Sequence, residues 1–125
     1  MSLSYVNASM NEPLILTRAP DGYRIKPVIS NFSVVGIIDL DEVKVETLKL
    51  FNGDMIFLST DGVNNAVDEN DVALGTTKRF ENTVRDAASK NSQGFIEEVS
   101  DLIADYTKNS QISDDITMVV AKVER

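Results

Sequence analysis

Along the first half of the chain, apolar residues come in short runs separated by turn signals. The runs are Leu3 to Ala8, Leu14 to Thr17, Tyr23 to Val28, Val43 to Leu50 and Met55 to Thr60. Pro20-Asp21-Gly22 and Asn52-Gly53 fall between them, as tight turns joining strands do. The pattern predicts an antiparallel meander. Asn31 to Asp41 is less regular, and Gly36 between Val35 and Ile37 points to a buried loop or a short strand that breaks there.

After Gly62 the period lengthens. Phe80, Val84, Ala87 and Ala88 fall at helical spacing, with Thr76 or Thr77 as the cap that follows Gly75. Ser92 is positioned to cap a second helix whose apolar face is Phe95, Val99, Leu102, Ile103 and Tyr106. Glu97, Glu98, Asp101 and Asp105 fall largely off that face and read as a solvated surface. Ile116 to Val123 is β-branched and apolar, a final strand that frays into Lys122 and Glu124. Strands, two helices and one more strand make an α+β fold with helices on one face of an antiparallel sheet.

Composition narrows the chemistry. At 125 residues and 42% hydrophobic content, the chain supports one modest core and shows no shift that marks a second domain. Twenty acidic against twelve basic residues give a net charge of -8, and the basic residues are scattered. Nucleic acid and anionic membrane surfaces are therefore expected to be repelled. No apolar run approaches the roughly 18 residues of a bilayer span, and the amino end lacks a signal-peptide layout. The absence of Cys excludes disulfides and thiol catalysis and fits a reducing, cytoplasmic setting. The absence of His removes triads and the usual transition-metal sites, leaving carboxylates, hydroxyls, amides, Lys, Arg and Tyr.

Three carboxylates have a suggestive placement. Asp61 follows the strand that ends at Thr60, while Asp114 and Asp115 precede the strand that begins at Ile116. If the two strands are antiparallel neighbours, all three stand at one rim of the sheet. Clustered carboxylates repel unless a cation or a shared proton lies between them, and oxygen-rich sites suit Mg²⁺ or Mn²⁺. Gly62 would let the backbone turn sharply beside such an ion. Each segment alone reads more readily as an ordinary turn or loop than as half of a metal site.

The ordered pattern resembles a known family. Gly53-Asp54, four apolar residues, Ser59-Thr60-Asp61-Gly62-Val63, helices, and then Asp114-Asp115-Ile116-Thr117-Met118-Val119-Val120 are similar to the carboxyl-terminal half of the metal-dependent (type-2C, or PPM) serine/threonine phosphatases. Within that family the likeness is to the bacterial sporulation stage II and sigma-factor-regulator branch. Tyr5-Val6-Asn7-Ala8 with Asn11-Glu12-Pro13-Leu14 resembles its Asn-Ala-Gly-His-Asn-Pro-Pro element, and Val35-Gly36-Ile37 its Leu-Gly-Ile. Gly75, followed by a helix carrying Phe80, resembles its Phe-Gly and helix.

The resemblance implies roles. Asp61 and Asp114 would be metal ligands, with Gly62 beside them, and Asp115 would support them or hold a further ion. Thr117 would steady the loop by hydrogen bonding. Two Mn²⁺ or Mg²⁺ ions about 3.5–4 Å apart would activate a water for in-line attack on a phosphoryl group, with no phosphoenzyme. The fold implied is part of a four-layer αββα sandwich. Residues 1–125 would be the carboxyl-terminal portion of a single domain whose bridging Asp lies upstream, so the segment alone is expected to be inactive. The substrate implied is a phosphorylated regulatory protein such as an anti-anti-sigma factor. Departures from the pattern are Ser9-Met10 in place of Gly-His and Asn65 in place of an acid. They keep open a second reading, a non-catalytic PPM-like binding or signalling module. An exposed sheet edge or apolar face would make dimerisation possible.

Overall fold

The computed structural model describes residues 1–8, 10–31, 43–110 and 114–124. Among them the order is β1 (Ser2–Tyr5), β2 (Leu14–Ala19), β3 (Gly22–Pro27), β4 (Glu46–Lys49), β5 (Met55–Ser59), α1 (Asp61–Asn64), α2 (Lys78–Ala87), α3 (Ser92–Thr107) and β6 (Met118–Lys122), with a 3-10 turn at Leu74–Thr76 before α2. The irregular reading of the segment around Gly36, and its likeness to Leu-Gly-Ile, fall outside the described residues.

The strands do not form one meander. A four-stranded antiparallel sheet runs β3-β2-β5-β6, while β1 pairs with β4 in a separate two-stranded sheet. The separation follows from which faces are apolar. Leu14 and Leu16 of β2, with Met55 and Phe57 of β5, pack toward the helices. Ile15 and Ile56 point the other way, to Leu3 and Tyr5 of β1 and Leu48 of β4. The central strands are thus apolar on both faces, and burying both requires a cover on each side. Helices, large sheet and small sheet form three layers, confirming an α+β fold with helices on one face.

The helices form where the spacing places them. Thr77 caps α2, its side chain accepting a hydrogen bond from the Phe80 N–H at 3.1 Å. For α3 the cap is Asn91, one residue before Ser92: its Oδ1 accepts from the Gly94 N–H at 2.8 Å. Both residue types cap well, and the extended backbone of Asn91 gives it the position. Phe95 of α3 meets Phe57 of β5 with ring centroids 5.1 Å apart, and both rings are almost fully buried. Side chains of this size contribute about 1.5–3 kcal/mol each when buried. The acidic face of α3 is solvated but not idle: Asp105 pairs with Arg79 at 2.6 Å and Glu98 with Lys90 at 2.8 Å.

Two further ties fix the ends of the large sheet. Lys122 of β6 donates from Nζ to the carbonyls of Ala88 at 2.7 Å and Lys90 at 3.1 Å, a cation at the carboxyl end of α2. Asp54, buried before β5, accepts from the Thr17 hydroxyl at 2.7 Å and the Phe51 N–H at 2.9 Å. Gly53, at φ +90°, makes the turn that delivers it.

Candidate metal centre

The rim on which Asp61 and Asp114 stand is built by the pairing of β5 with β6. The two strands are antiparallel with Ser59 opposite Met118, so the end of one lies beside the start of the other, as the sequence suggests. Thr60 continues the ladder: its N–H donates to the Thr117 carbonyl at 3.0 Å. Its hydroxyl accepts from the Thr117 N–H at 3.0 Å and lies 3.4 Å from the Asp115 carbonyl. Thr60 stands at the N-cap of α1 yet makes no side-chain cap bond, because that oxygen is engaged with the β6 lead-in. Thr117 takes part in these bonds through its backbone N–H and C=O, and the hydroxyl is supplied by the Thr60 side chain.

Gly62 has a different role from the one its sequence suggests. It is buried in α1, and a Cβ there would overlap the Asp115 carbonyl oxygen and lie 3.1 Å from Ile116 Cγ1. What it permits is close approach of two segments, not a sharp turn. Asp61 and the Asp114-Asp115 pair are drawn to the same rim by that contact.

All three carboxyl residues are solvent-exposed. Asp114 folds back on itself, its Oδ1 accepting from the Asp115 N–H at 2.7 Å. Among the described residues no three His, Cys, Asp or Glu side chains gather closely enough to hold a metal ion. The expected three-carboxylate cluster is therefore not formed. The donor set nevertheless fits a hard divalent cation in kind, since Asp61 and Asp114 present carboxylate oxygens at one rim. It is short in number, because such ions take about six oxygen ligands.

Asparagines that composition did not single out shape the rim. Asn11 donates from Nδ2 to the Ser59 carbonyl and hydroxyl, both at 3.1 Å, and Asn64 donates to Asn11 Oδ1 at 2.7 Å. This chain ties the end of β5 to α1 on either side of Asp61. Gly75 leaves room for it, since a Cβ there would lie 2.9 Å from Asn64 Cβ. Asn7, buried, positions the loop that carries Asn11: it donates to the Val28 carbonyl at 3.1 Å and accepts from the Met10 N–H at 2.9 Å. The available signal was the likeness of Asn7 and Asn11 to the Asn-Ala-Gly-His-Asn-Pro-Pro element.

Comparison with known proteins places this geometry. The family model described as stage II sporulation protein E (SpoIIE) matches residues 1–124. No curated protein sequence matches the chain. Among solved structures, the chain resembles the SiaA-PP2C domain of Pseudomonas aeruginosa at TM-score 0.76 and 22% identity, covering 98% of this chain and 46% of that one. It also resembles the PP2C phosphatase domain, solved with a fragment of the regulatory domain, of the cell fate determinant SpoIIE from Bacillus subtilis. There the TM-score is 0.67 and the identity 17%, over 98% of this chain and 35% of the other. A crystal form of the same phosphatase domain without domain swapping gives a TM-score of 0.63 and 20% identity, over 98% and 50%. At these identities the likeness establishes the fold, and the chain spans half or less of each of these three structures.

Proposed function

The chain belongs to the stage II sporulation protein E (SpoIIE) family, and on that premise we propose that it forms the carboxyl-terminal portion of a PPM-type, metal-dependent serine/threonine protein phosphatase domain. The observation that carries the proposal is the Ser59–Met118 register, which sets Asp61 and Asp114 on one rim. In this reading Asp61 and Asp114 hold Mn²⁺ or Mg²⁺, with Gly62 keeping the two segments together. Asp115 supports the pair or holds a further ion. Bound there, the ions supply a water of lowered pKa and positive charge for the phosphoryl oxygens. Thr60 and Asn11 hold the carboxylate-bearing segments in register with no direct part in the chemistry.

The remainder of the domain is proposed to lie outside residues 1–125. Two observations support this. The chain spans 46% of the SiaA-PP2C domain. In addition β6 is apolar on both faces, yet Val119 is 56% exposed and Leu58 beside it 42%, opening an apolar groove toward Val6 and Met10. Strands apolar on both faces are normally covered on both. The same groove, or a free sheet edge, would support dimerisation of the isolated segment.

The substrate proposed is a phosphorylated regulatory protein, of which an anti-anti-sigma factor is the example the family suggests, acted on in the cytoplasm. None of the described helices is long and apolar enough to cross a membrane. The second reading, a non-catalytic binding module, draws on Ser9-Met10 and Asn65 standing where the family pattern has Gly-His and an acid. Mn²⁺-dependent hydrolysis of a phosphoserine peptide separates the two. The whole protein is expected to turn over and residues 1–125 alone to give none; turnover by the isolated segment would overturn the proposed division of the site.

A further inference from the structure

One edge of the large sheet is built unlike the rest of this acidic chain. β3 pairs only with β2, so its outer edge is free of strand partners among the described residues. Ala19 and Gly22 flank a two-residue turn and form the last pair of the hairpin. Residues flanking such a turn exchange hydrogen bonds, as do alternate pairs along the ladder. Gly22, Arg24 and Lys26 therefore bond to β2, while the N–H and C=O of Tyr23 and Ile25 point outward. Pro27 closes the edge, having no N–H to offer.

The side chains along this edge carry one sign of charge. β3 reads Gly-Tyr-Arg-Ile-Lys-Pro and contains no acid, although the chain as a whole has 20 acidic and 12 basic residues. Arg24 and Lys26 are exposed and stand two apart, on the face away from the helices. Arg24 reaches only Asp21, at 3.9 Å with both side chains more than two-thirds exposed, and Lys26 has no ion pair among the described residues. On the helix side a groove of about 960 Å³ lies between the hairpin and α2, where Arg18 and Arg85 stand with Asp21 and Asp86. It continues past Ile25 and Phe80 to a depression at Asn11, Ser59 and Asn64, beside the Asp61 rim.

We propose that the outer edge of β3 docks an extended acidic polypeptide segment as an added strand. Main-chain bonds to Tyr23 and Ile25 supply affinity, as in other strand additions. Arg24 and Lys26 select acidic side chains at every second position of the segment, and Ile25 and Phe80 receive the apolar side chains between them. The same charges reject a second copy of the chain, because edge-to-edge pairing of two β3 strands would set Arg24 and Lys26 against each other. Docking does not depend on the phosphatase reading; only the onward course of the segment toward Asp61 rests on it.

Fluorescence anisotropy with the whole protein tests this, using a labelled peptide of six alternating Glu and Val residues and its Lys-Val counterpart. The Glu-Val peptide is expected to bind, more weakly as salt rises. The R24E/K26E variant should lose at least about tenfold of that affinity and gain binding of the Lys-Val peptide. I25P, which removes an outward N–H without changing charge, should also weaken binding. D61N should leave binding unchanged whatever it does to turnover, so failure of docking and failure of the catalytic reading are told apart. Unaltered Glu-Val binding by R24E/K26E, no binding by the unmodified protein, or a dimer that R24E/K26E dissolves would each overturn the proposal.

Discussion

Gly62 and Asp115, from segments on opposite sides of two helices in sequence, approach so closely that a Cβ on Gly62 would overlap the Asp115 carbonyl oxygen. The contact decides how near Asp61 and Asp114 can stand. Gly62 has no positive φ, so an alanine there suffers from crowding and not from backbone strain.

Gly62→Ala is therefore expected to cost about 1–3 kcal/mol, the range for overfilling a packed site. Urea unfolding measures it. The variant should also lose Mn²⁺ affinity in calorimetry of the whole protein; unchanged stability would mean that the Asp115 segment yields freely.

Asn11 and Asn64 should behave as a coupled pair. A double-mutant cycle with Asn11→Ala and Asn64→Ala is expected to show a coupling of about 0.5–1 kcal/mol, since either change removes their shared 2.7 Å hydrogen bond. Additive losses would show that the bond contributes nothing to holding β5 against α1.

The Arg79–Asp105 pair links α2 to α3. Hydrogen bonding from Arg79 is the foremost cause that holds the Asp105 carboxyl below its usual range, with Lys108 adding to it. A depressed folded-state value means that the contribution is present above the ordinary carboxylate range. It is lost as pH falls through the folded value. NMR titration should place Asp105 below an unpaired aspartate and return it upward in Arg79→Gln. The effect should shrink with salt, because both side chains are half exposed.

How much of this was legible in the sequence varies with the range of the interaction. A threonine cap and the buried stripe Phe80, Val84 and Ala87 depend on residues three and four apart and are legible in the sequence, while the choice of Thr77 over Thr76 is made by the structure. The placement of Asp61 and Asp114 followed from two strand ends and a single assumption of antiparallel pairing, which the β5–β6 register satisfies. The division into two sheets was not visible. Ile15 and Leu16 are adjacent and equally apolar, and only the three-dimensional pairing shows that they serve different layers. The Thr60 hydroxyl was hidden for the same reason, since its partners lie 55 and 57 residues away. The contact of Gly62 with the Asp115 carbonyl is not legible in the sequence either, because close approach leaves no local pattern.

Hydrolysis of a phosphoserine peptide by the whole protein with Mn²⁺, compared across D61N, D114N and the double variant, tests the central claim most directly. Ligands of one centre act as a unit, so each single change should lower kcat/KM by at least about a hundredfold and the double should be little worse than either. Turnover at the unmodified level in D61N or D114N would contradict the assignment of that residue as a ligand.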